Sequence, residues 1–229
     1  MMNVVTAKAV IKNYSHGQME VPALRGIDLA IEQGEFTSLA GPSGSGKTTF
    51  LNLIGCLDQV TSGQLLIDGT EASALSQLEK AALRREKIGF IFQTYNLIPV
   101  LTAYENVELP LVLLQKYSEG EIKERVFKIL AEVGLKGMEG RRPADLSGGQ
   151  QQRVAIARAL VKDARIVLAD EPTANLDSDN SIAILELMKE LNASKNVTFL
   201  FSTHDQLVMK YARRLITMRD GKIVGDERR

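Results

Sequence analysis

The pattern of hydrophobic and polar positions changes twice along this chain, from strand-like to helical and back again. In the first part, β-branched or alternating segments bounded by turn residues predict strands over residues 4–12, 24–31, 35–40, 65–67 and 88–92. Two segments between these strands have helical character, 48–56 and 76–86. From 102 to 161 the apolar positions recur at helical spacing, and the last helix of this block is predicted over 150–161. The middle of the chain is therefore predicted to be a helical insertion.

The last third of the chain returns to strands. Two uninterrupted apolar runs, 166–170 and 197–202, are typical of parallel strands buried on both faces, and a helix over 178–191 is predicted between them. This order of strand, helix and strand is a βαβ unit. Beyond it, a closing hairpin is predicted around Asp220-Gly221.

Composition narrows the classes of function. The chain has 229 residues, of which 45% are hydrophobic, and this is enough to fill a globular core. Lys and Arg number 28 and so do Asp and Glu, so no overall charge attracts the protein to nucleic acid or to an anionic membrane. Cys56 is the only cysteine, which excludes an internal disulfide and favours a reducing compartment. Because no signal-like segment or run of about 18 apolar residues occurs, we expect a chain that neither crosses a membrane nor is exported.

The strongest chemical signal is a glycine-rich segment between a predicted strand and a predicted helix. This phosphate loop, residues 41–48, fits the pattern G-x-x-x-x-G-K-[ST] and reads Gly41-Pro42-Ser43-Gly44-Ser45-Gly46-Lys47-Thr48. Its glycines let successive N–H groups point inward, and the helix N-terminus adds positive potential for a β-phosphate. We expect Lys47 to reach the β- and γ-phosphates and Thr48 to offer its hydroxyl to Mg²⁺. Thr49 is also predicted to be a nucleotide-binding residue, but the sequence assigns it no particular contact.

Two carboxylates stand at the end of the apolar run 166–170. Asp170 and Glu171 are therefore expected at the carboxyl edge of the sheet, beside the phosphate loop. Asp170 suits Mg²⁺ binding, directly or through water, whereas Glu171 can polarise a water aimed at the γ-phosphorus. The alternative, an acid pair that caps a helix, is weakened by Pro172, which follows at once.

Three further side chains are candidates for the same site. His204 follows the strand 197–202 and is predicted as a neutral imidazole that contacts the γ-phosphate region. Gln93 follows the strand 88–92, and its amide can coordinate Mg²⁺ or water and sense the γ-phosphate; the alternative is a polar residue that caps the strand. Tyr14 can stack on adenine, and a half-buried core tyrosine is the alternative.

A second polar segment precedes the predicted helix 150–161. This signature segment, residues 146–150, reads Leu146-Ser147-Gly148-Gly149-Gln150 and combines a hydroxyl, N–H groups and a helix N-terminus. With these motifs in order, the chain resembles an ATP-binding cassette, the motor subunit of ABC transporters, over essentially its whole length. The matching segments are Walker A at 41–48, the Q-loop at Gln93, the signature at 146–150, Walker B at 166–170, the D-loop at 174–177 and the switch histidine at His204.

The resemblance implies a fold and an activity. It implies an α/β protein with a P-loop NTPase (RecA-like) core and parallel sheet, an N-terminal antiparallel β subdomain and an inserted α-helical subdomain. One ABC ATP-binding domain would span 1–229, with the helical subdomain at about 94–162. ATP and Mg²⁺ are the implied cofactors, with Thr48, Gln93 and Asp170 at the metal and Glu171, His204 and Gln93 in catalysis.

The resemblance also implies partners. Two cassettes would close head-to-tail around two ATP molecules, so that Ser147, Gly148, Gly149 and Gln150 of one chain complete the other chain's site. Segments 51–58, 96–99 and 101–107 resemble the MacB and LolD branch, whose permeases move lipoproteins, peptides or drugs. Because no membrane segment occurs before Arg229, the stand-alone arrangement of LolD is expected, with separate transmembrane permease subunits, no direct membrane insertion and no nucleic acid. The chain would be cytoplasmic and peripheral on the inner face of the cell membrane.

An apolar stretch, 97–101, lies just past Gln93 and is predicted to form a groove for the permease, although some of its side chains would pack inside the helical subdomain. The D-loop reads Ala-Asn-Leu-Asp instead of Ser-Ala-Leu-Asp, and Ser202 replaces an apolar residue; neither change removes a reacting group. A non-transport cassette acting on nucleic acid is disfavoured by chain length and neutral charge. A small-molecule P-loop kinase is disfavoured by the signature segment.

Overall fold

The computed structural model of the chain describes residues 2–17 and 19–229, which contain ten strands and seven α-helices. The strands are β1 (Asn3–His16), β2 (Met19–Glu32), β3 (Phe36–Ala40), β4 (Ser62–Ile67), β5 (Thr70–Glu71), β6 (Ile88–Ile91), β7 (Ile166–Asp170), β8 (Thr198–Thr203), β9 (Arg214–Arg219) and β10 (Lys222–Arg228). The helices are α1 (Lys47–Ile54), α2 (Gln77–Lys87), α3 (Ala103–Leu114), α4 (Glu119–Glu132), α5 (Gly148–Leu160), α6 (Ser178–Lys195) and α7 (Gln206–Tyr211).

The larger sheet has the strand order β10-β9-β3-β8-β7-β6, and all neighbours are parallel except the β9–β10 hairpin. Strands β3 and β8 are buried at every position. For β8 the apolar run 197–202 predicts this burial, whereas β3 is buried although it contains Thr37 and Ser38. Phe36 of β3 packs against Phe201 of β8, with ring centroids 4.6 Å apart. In register, Ala40 pairs with Thr203, and Asp170 pairs with Ser202. The carboxyl ends of β3, β7 and β8 therefore meet at one edge of the sheet.

The smaller sheet is antiparallel and has the order β2-β1-β4-β5. Its strands β1 and β2 extend well beyond the predicted 4–12 and 24–31, because hydrophobic periodicity reports only the part of a hairpin that packs on a core. The first four residues of β2, 19–22, are exposed, and they stay paired with β1 as a two-stranded ribbon. With this sheet and the parallel sheet in place, the predicted α/β fold class is confirmed.

Helices α3, α4 and α5 follow one another between β6 and β7, at the predicted insertion. Each begins with a capping box, formed by the pairs Thr102 and Glu105, Ser118 and Glu121, and Ser147 and Gln150. Their apolar faces join the core cluster that also covers β3, β7 and β8, with Val107, Val126 and Val154 fully buried. The signature segment thus leads directly into a helix that is anchored on the main sheet.

Several boundaries differ from the prediction for local reasons. Helix α1 ends at Ile54 instead of 56, because Gly55 caps it and Cys56 adopts the left-handed conformation with φ 53°. Helix α6 continues to Lys195, four residues beyond the predicted end. Helix α7 was not predicted, since a six-residue helix whose one buried residue is Val208 has no periodic signal. Across the described ranges, no helix is both long enough and apolar enough to cross a bilayer.

Candidate nucleotide-binding site

An open cleft of about 660 Å³ lies at the carboxyl edge of the parallel strands. It is lined by Ala23, Pro42, Ser43, Gly44, Gly46, Lys47, Thr48, Thr49, Gln93, Asp170, Glu171, Ser202 and His204. The structure therefore brings together most of the phosphate loop, both predicted carboxylates, the predicted glutamine and the predicted histidine. These residues come from five separate parts of the chain. Another groove, lined mainly by α4, contains none of these residues, and the candidate chemistry lies in this cleft.

The phosphate loop connects β3 to α1 and closes around its own lysine. Gly46 has φ 99°, and a Cβ atom there would lie 2.8 Å from the carbonyl oxygen of Ala23, so only glycine fits. The Lys47 ammonium is buried and donates to the carbonyl oxygens of Gly41 at 2.8 Å and Pro42 at 3.0 Å. Among the described residues, the hydrogen-bond acceptors of Lys47 are these two neutral carbonyls, and it can exchange them for phosphate oxygens, which bind an ammonium more strongly.

The oxygen donors beside the loop fit a hard divalent cation. Asp170 Oδ1 is buried and has no hydrogen-bond partner among the described residues. Burial raises the pKa of Asp170, against a hydrogen bond from Ser202 that lowers it. Thr48 and Gln93 line the same cleft with a hydroxyl and an amide oxygen. A buried carboxylate oxygen without a partner is suited to Mg²⁺ or to one of its water ligands.

Glu171 is held on both oxygens. Thr203 Oγ1 donates to Oε2 at 2.9 Å, and the backbone N–H of His204 donates to Oε1 at 3.2 Å. The Thr203 hydroxyl oxygen accepts from the N–H of Asp205 at 2.9 Å, which leaves its hydrogen free for Glu171. Glu171 itself has φ 47°, a left-handed conformation that costs about 1 kcal/mol or more for a residue with a side chain. Strained backbone of this kind is common at functional sites.

His204 Nδ1 lies 2.6 Å from Glu171 Oε1. Because an ionised carboxylate only accepts hydrogen bonds, the ring carries its hydrogen on Nδ1 in this arrangement. In a neutral ring Nε2 then has no hydrogen to donate to a phosphate oxygen. The predicted contact between a neutral His204 and a γ-phosphate therefore requires that the ring leave Glu171 or gain a proton.

None of the signature residues Ser147, Gly148, Gly149 and Gln150 lines the cleft of its own chain. Ser147 and Gln150 form the capping box of α5, with the Gln150 N–H donating to Ser147 Oγ at 3.3 Å. Ser147 is exposed, so its hydroxyl hydrogen stays available to a ligand from outside. The cap explains why Ser and Gln occupy these two positions. It does not explain Gly148, whose place against the Tyr95 hydroxyl leaves little room for a side chain.

Tyr14 does not line the cleft either. It is 40% exposed, its hydroxyl donates to Asp58 Oδ2 at 2.9 Å, and the Lys12 ammonium lies 4.7 Å from its ring centroid. These contacts are those expected of the alternative, a half-buried structural tyrosine. Stacking of adenine on the exposed part of the ring stays a prediction. Gly41 and Ser45 of the phosphate loop do not line the cleft, and Ser45 Oγ is another buried atom without a partner in the described part of the chain.

Sequence reasoning missed two residues that line the cleft. Ser202 was noted only as a departure from the family pattern, but it faces Asp170 across the sheet. Ala23 belongs to β2 and reaches the cleft because the two sheets meet there. An alanine in a strand carries no chemical signal, so no sequence pattern could have indicated it.

The apolar stretch 97–101 is fixed by one buried amide. Leu97 packs against the core cluster, whereas Ile98 is 37% and Val100 72% exposed. Asn106 is fully buried, and its Oδ1 accepts from the N–H of Ile98 at 2.8 Å. Its Nδ2 donates to three carbonyl oxygens, those of Ile98, Leu101 and Thr102. The loop therefore has a defined shape and exposes the apolar side chains of Ile98 and Val100, whereas Leu97 packs in the interior.

Comparison with known proteins agrees with this geometry. Residues 24–174 match the family model described as ABC transporter. The chain is 49% identical over 97% of its length to the macrolide export ATP-binding/permease protein MacB of Hyphomonas neptunium, but it spans only about a third of that protein (34%). It is 46% identical to the ABC transporter ATP-binding protein YvrO of Bacillus subtilis, with 98% of this chain and 97% of that one covered.

A solved structure is similar over the whole chain. The ATP-binding cassette MJ0796 of Methanocaldococcus jannaschii, a dimer in a post-hydrolysis state bound to ADP and phosphate, superimposes with a TM-score of 0.89. It is 45% identical, and the match covers 98% of each chain. The similarity therefore extends from the motifs to the arrangement of both sheets.

Proposed function

The chain belongs to the ABC transporter family as one of its ATP-hydrolysing cassettes, and from that premise we propose how its own residues bind ATP, cleave it and pass the change to a permease. The observation that carries the proposal is the position of Glu171, held by Thr203 and His204 in the same cleft as the phosphate loop. This position puts a carboxylate that can act as the general base into the same cleft as the loop that would bind the phosphates.

Nucleotide binding begins with the phosphate loop. Its N–H groups and the N-terminus of α1 receive the β-phosphate, and Lys47 exchanges the carbonyls of Gly41 and Pro42 for β- and γ-phosphate oxygens. Thr48, Asp170 and Gln93 would hold Mg²⁺, which when bound neutralises charge on the phosphates. Tyr14 would stack on the adenine ring with the face that Lys12 does not cover.

Hydrolysis needs a water in line with the γ-phosphorus. Glu171 accepts a hydrogen bond from this water and then its proton, while the water oxygen bonds to phosphorus and the bond to ADP breaks. Thr203 and the His204 N–H keep the carboxylate oriented, which reduces the reorganisation that the reaction requires. Gln93 lines the same cleft and can report whether a γ-phosphate is present.

One chain offers only part of this site. Ser147, Gly148 and Gly149 lie outside the chain's own cleft at the N-terminus of α5. In a head-to-tail dimer they would meet the γ-phosphate held by the other chain, with the Ser147 hydroxyl and the N–H groups as donors. Dimerisation around two ATP molecules would thus be a condition for hydrolysis.

The free energy of ATP binding and hydrolysis in the dimer would drive a separate transmembrane permease. Its cytoplasmic surface would dock on the exposed side chains of Ile98 and Val100, which places the cassette at the inner face of the cell membrane. We propose one ATP-binding domain over 1–229, with residues of about 94–162 as the helical subdomain that moves with the permease. The similarity to the macrolide export protein MacB favours a permease that functions in export.

Phosphate release from Mg²⁺-ATP tests the reaction, with no acceptor other than water. The wild-type chain should release phosphate at micromolar protein concentration, and Lys47→Met should release none above background. If ADP formed only after a small molecule had been added, with the phosphoryl group transferred to that molecule and no free phosphate released, the chain would be a kinase and the proposal would be wrong.

A further inference from the structure

A guanidinium group from the signature helix clamps the loop that follows Gln93. Arg158, on the third turn of α5, donates from NH1 to the carbonyl oxygen of Asn96 at 2.5 Å and from NH2 to that of Tyr95 at 2.7 Å. Two N–H donors of one planar fork thus engage two successive carbonyls, an arrangement that fixes orientation as well as distance. No role in nucleotide chemistry accounts for Arg158, which does not line the cleft.

The clamped backbone is in an unfavourable conformation. Tyr95 and Asn96 both have positive φ, 61° and 49°, and tyrosine rarely adopts the left-handed region. Such a conformation persists only where surrounding contacts determine it. Among the described residues, Arg158 has only these carbonyls as hydrogen-bond acceptors, and burial lowers its pKa. The partly buried guanidinium therefore uses two of its donors on the carbonyls of Tyr95 and Asn96.

The same loop is tied to the segment that follows Glu171. Asn175 Nδ2 donates to the carbonyl oxygen of Gln93 at 2.9 Å, and the Tyr95 hydroxyl donates to the carbonyl of Asn175 at 3.4 Å. The Tyr95 hydroxyl also lies beside Gly148 of the signature segment. Residues 93–96 are therefore a short bridge with the cleft at one end and helix α5 at the other.

We infer that Arg158 is a positioning residue, which couples the contact between Gln93 and the nucleotide to the placement of the signature segment on α5. This inference rests on the proposed function. When Gln93 is drawn towards a γ-phosphate, the carbonyls of Tyr95 and Asn96 move with it, and the guanidinium carries α5 along. The signature segment at the start of α5 then takes the position in which it meets the partner's nucleotide.

The chain offers a matched control on the same helix. Arg153 also donates from NH1 to a backbone carbonyl, that of Val133 at 2.7 Å, but this carbonyl belongs to the end of α4 and not to the loop after Gln93. Arg153→Met and Arg158→Met each remove one guanidinium–carbonyl anchor from α5. Only the second cuts the bridge to the cleft.

The test uses both variants in the Glu171→Gln background, with ATP-driven dimerisation followed by light scattering. Arg158→Met should raise the ATP concentration needed for half-dimerisation at least tenfold, since bonds to a charged donor are lost. The Kd for ADP, which carries no γ-phosphate, should stay within twofold. Arg153→Met should leave both quantities within twofold. Arg158→Lys keeps the charge but not the fork, and it should fall between the parent and Arg158→Met.

Three outcomes decide the inference. Equal ATP dependence of the parent and Arg158→Met would overturn it, and so would an equal defect in Arg153→Met, because the role would then be stability alone. If Arg158→Met did not fold, a fully normal Arg158→Lys would likewise overturn it. A Glu171→Gln parent that never dimerised would contradict the proposed function instead.

Discussion

His204 Nδ1 lies 2.6 Å from Glu171 Oε1, and the His204 backbone N–H donates to the same oxygen. The carboxylate is therefore oriented by its neighbours before any nucleotide enters the cleft. Thr203 completes the arrangement from the other oxygen, through a hydroxyl that is fully buried. The side-chain contacts of Thr203 and His204 can be removed separately by substitution, so the orientation of Glu171 can be tested by experiment.

Thr203→Val should lower kcat for ATP hydrolysis about tenfold or more, because it removes a hydrogen bond to a charged group, worth about 1.5–3 kcal/mol. The KM for ATP should change less than threefold, since Thr203 does not line the cleft. Thr203→Ser retains the hydroxyl and should recover most of kcat. Steady-state phosphate release measures both quantities. A Val variant with full kcat would show that the contact does not assist the reaction.

Asp170→Asn should raise the melting temperature of the nucleotide-free protein. The pKa of Asp170 is raised by burial, so its ionised form is less favourable in the folded state than in the unfolded state, and at neutral pH this charge lowers stability. The neutral amide removes that cost. The increase in melting temperature that Mg²⁺-ATP gives to the wild-type protein should be absent in the variant, as differential scanning fluorimetry would reveal. A lower melting temperature without nucleotide would contradict the interpretation that burial of the ionised Asp170 carboxylate, with Oδ1 unpartnered, destabilises the folded state.

Tyr14 allows the two interpretations of this residue to be separated. Tyr14→Phe keeps the ring but removes the hydrogen bond to Asp58, and it should leave the Kd for ATP within about twofold. Tyr14→Ala removes the ring and should weaken binding about fivefold or more, because stacking of a base on an aromatic ring is worth about 1–3 kcal/mol. Titration of both variants by calorimetry checks this. Equal Kd values for Phe and Ala would assign Tyr14 to the scaffold.

Much of the site could be predicted from the sequence because its chemistry is concentrated in short motifs at strand ends. Lys47, Asp170 and His204 lie where a parallel sheet places residues that follow its strands, and the structure brings them to one cleft. The partners that orient them could not be predicted. Arg158 contacts residues 62 and 63 positions away in the sequence, and no periodic pattern reports such a pairing.

The buried strands of the fold could also be predicted from the sequence, because burial determines their side-chain pattern. Strand β7 begins and ends at the predicted residues, since a strand buried on both faces has an unbroken apolar run. The outer part of the β1–β2 hairpin was missed because exposed strands pair through backbone groups, which leave no trace in the side-chain pattern. Turn residues and core burial can be recognised in the local sequence, whereas strand pairing joins residues that are distant in the sequence.

A charge cluster far from the cleft predicts acid sensitivity. Arg214 is buried and bonds to Asp226 and Glu35, and the hydrogen bond from Arg214 lowers the pKa of Asp226. A depressed carboxyl pKa contributes stability that is present above the unfolded value, about pH 4, and is lost as pH falls through the lower folded value. Urea denaturation at pH 6 and pH 3 should therefore show a smaller acid loss for Asp226→Asn than for wild type. An equal loss would exclude Asp226 as a contributor.

The central claim is that each chain builds only part of an ATP site and that the signature segment of a second chain completes it. Ser147→Asp tests this without breaking α5, because aspartate is as good an N-cap as serine but places a negative charge opposite the partner's γ-phosphate. Ser147→Asn is the neutral control, since it also caps the helix.

Size-exclusion chromatography with light scattering of the Glu171→Gln chain, in saturating Mg²⁺-ATP, is the most direct measurement. We predict a dimer with one ATP bound per chain, a monomer for Glu171→Gln with Ser147→Asp, and a dimer weakened less for Glu171→Gln with Ser147→Asn. The Kd for ADP should be the same in all three. A Glu171→Gln chain that stays monomeric with ATP bound, or a Ser147→Asp variant that dimerises as well as its parent, would contradict the shared site.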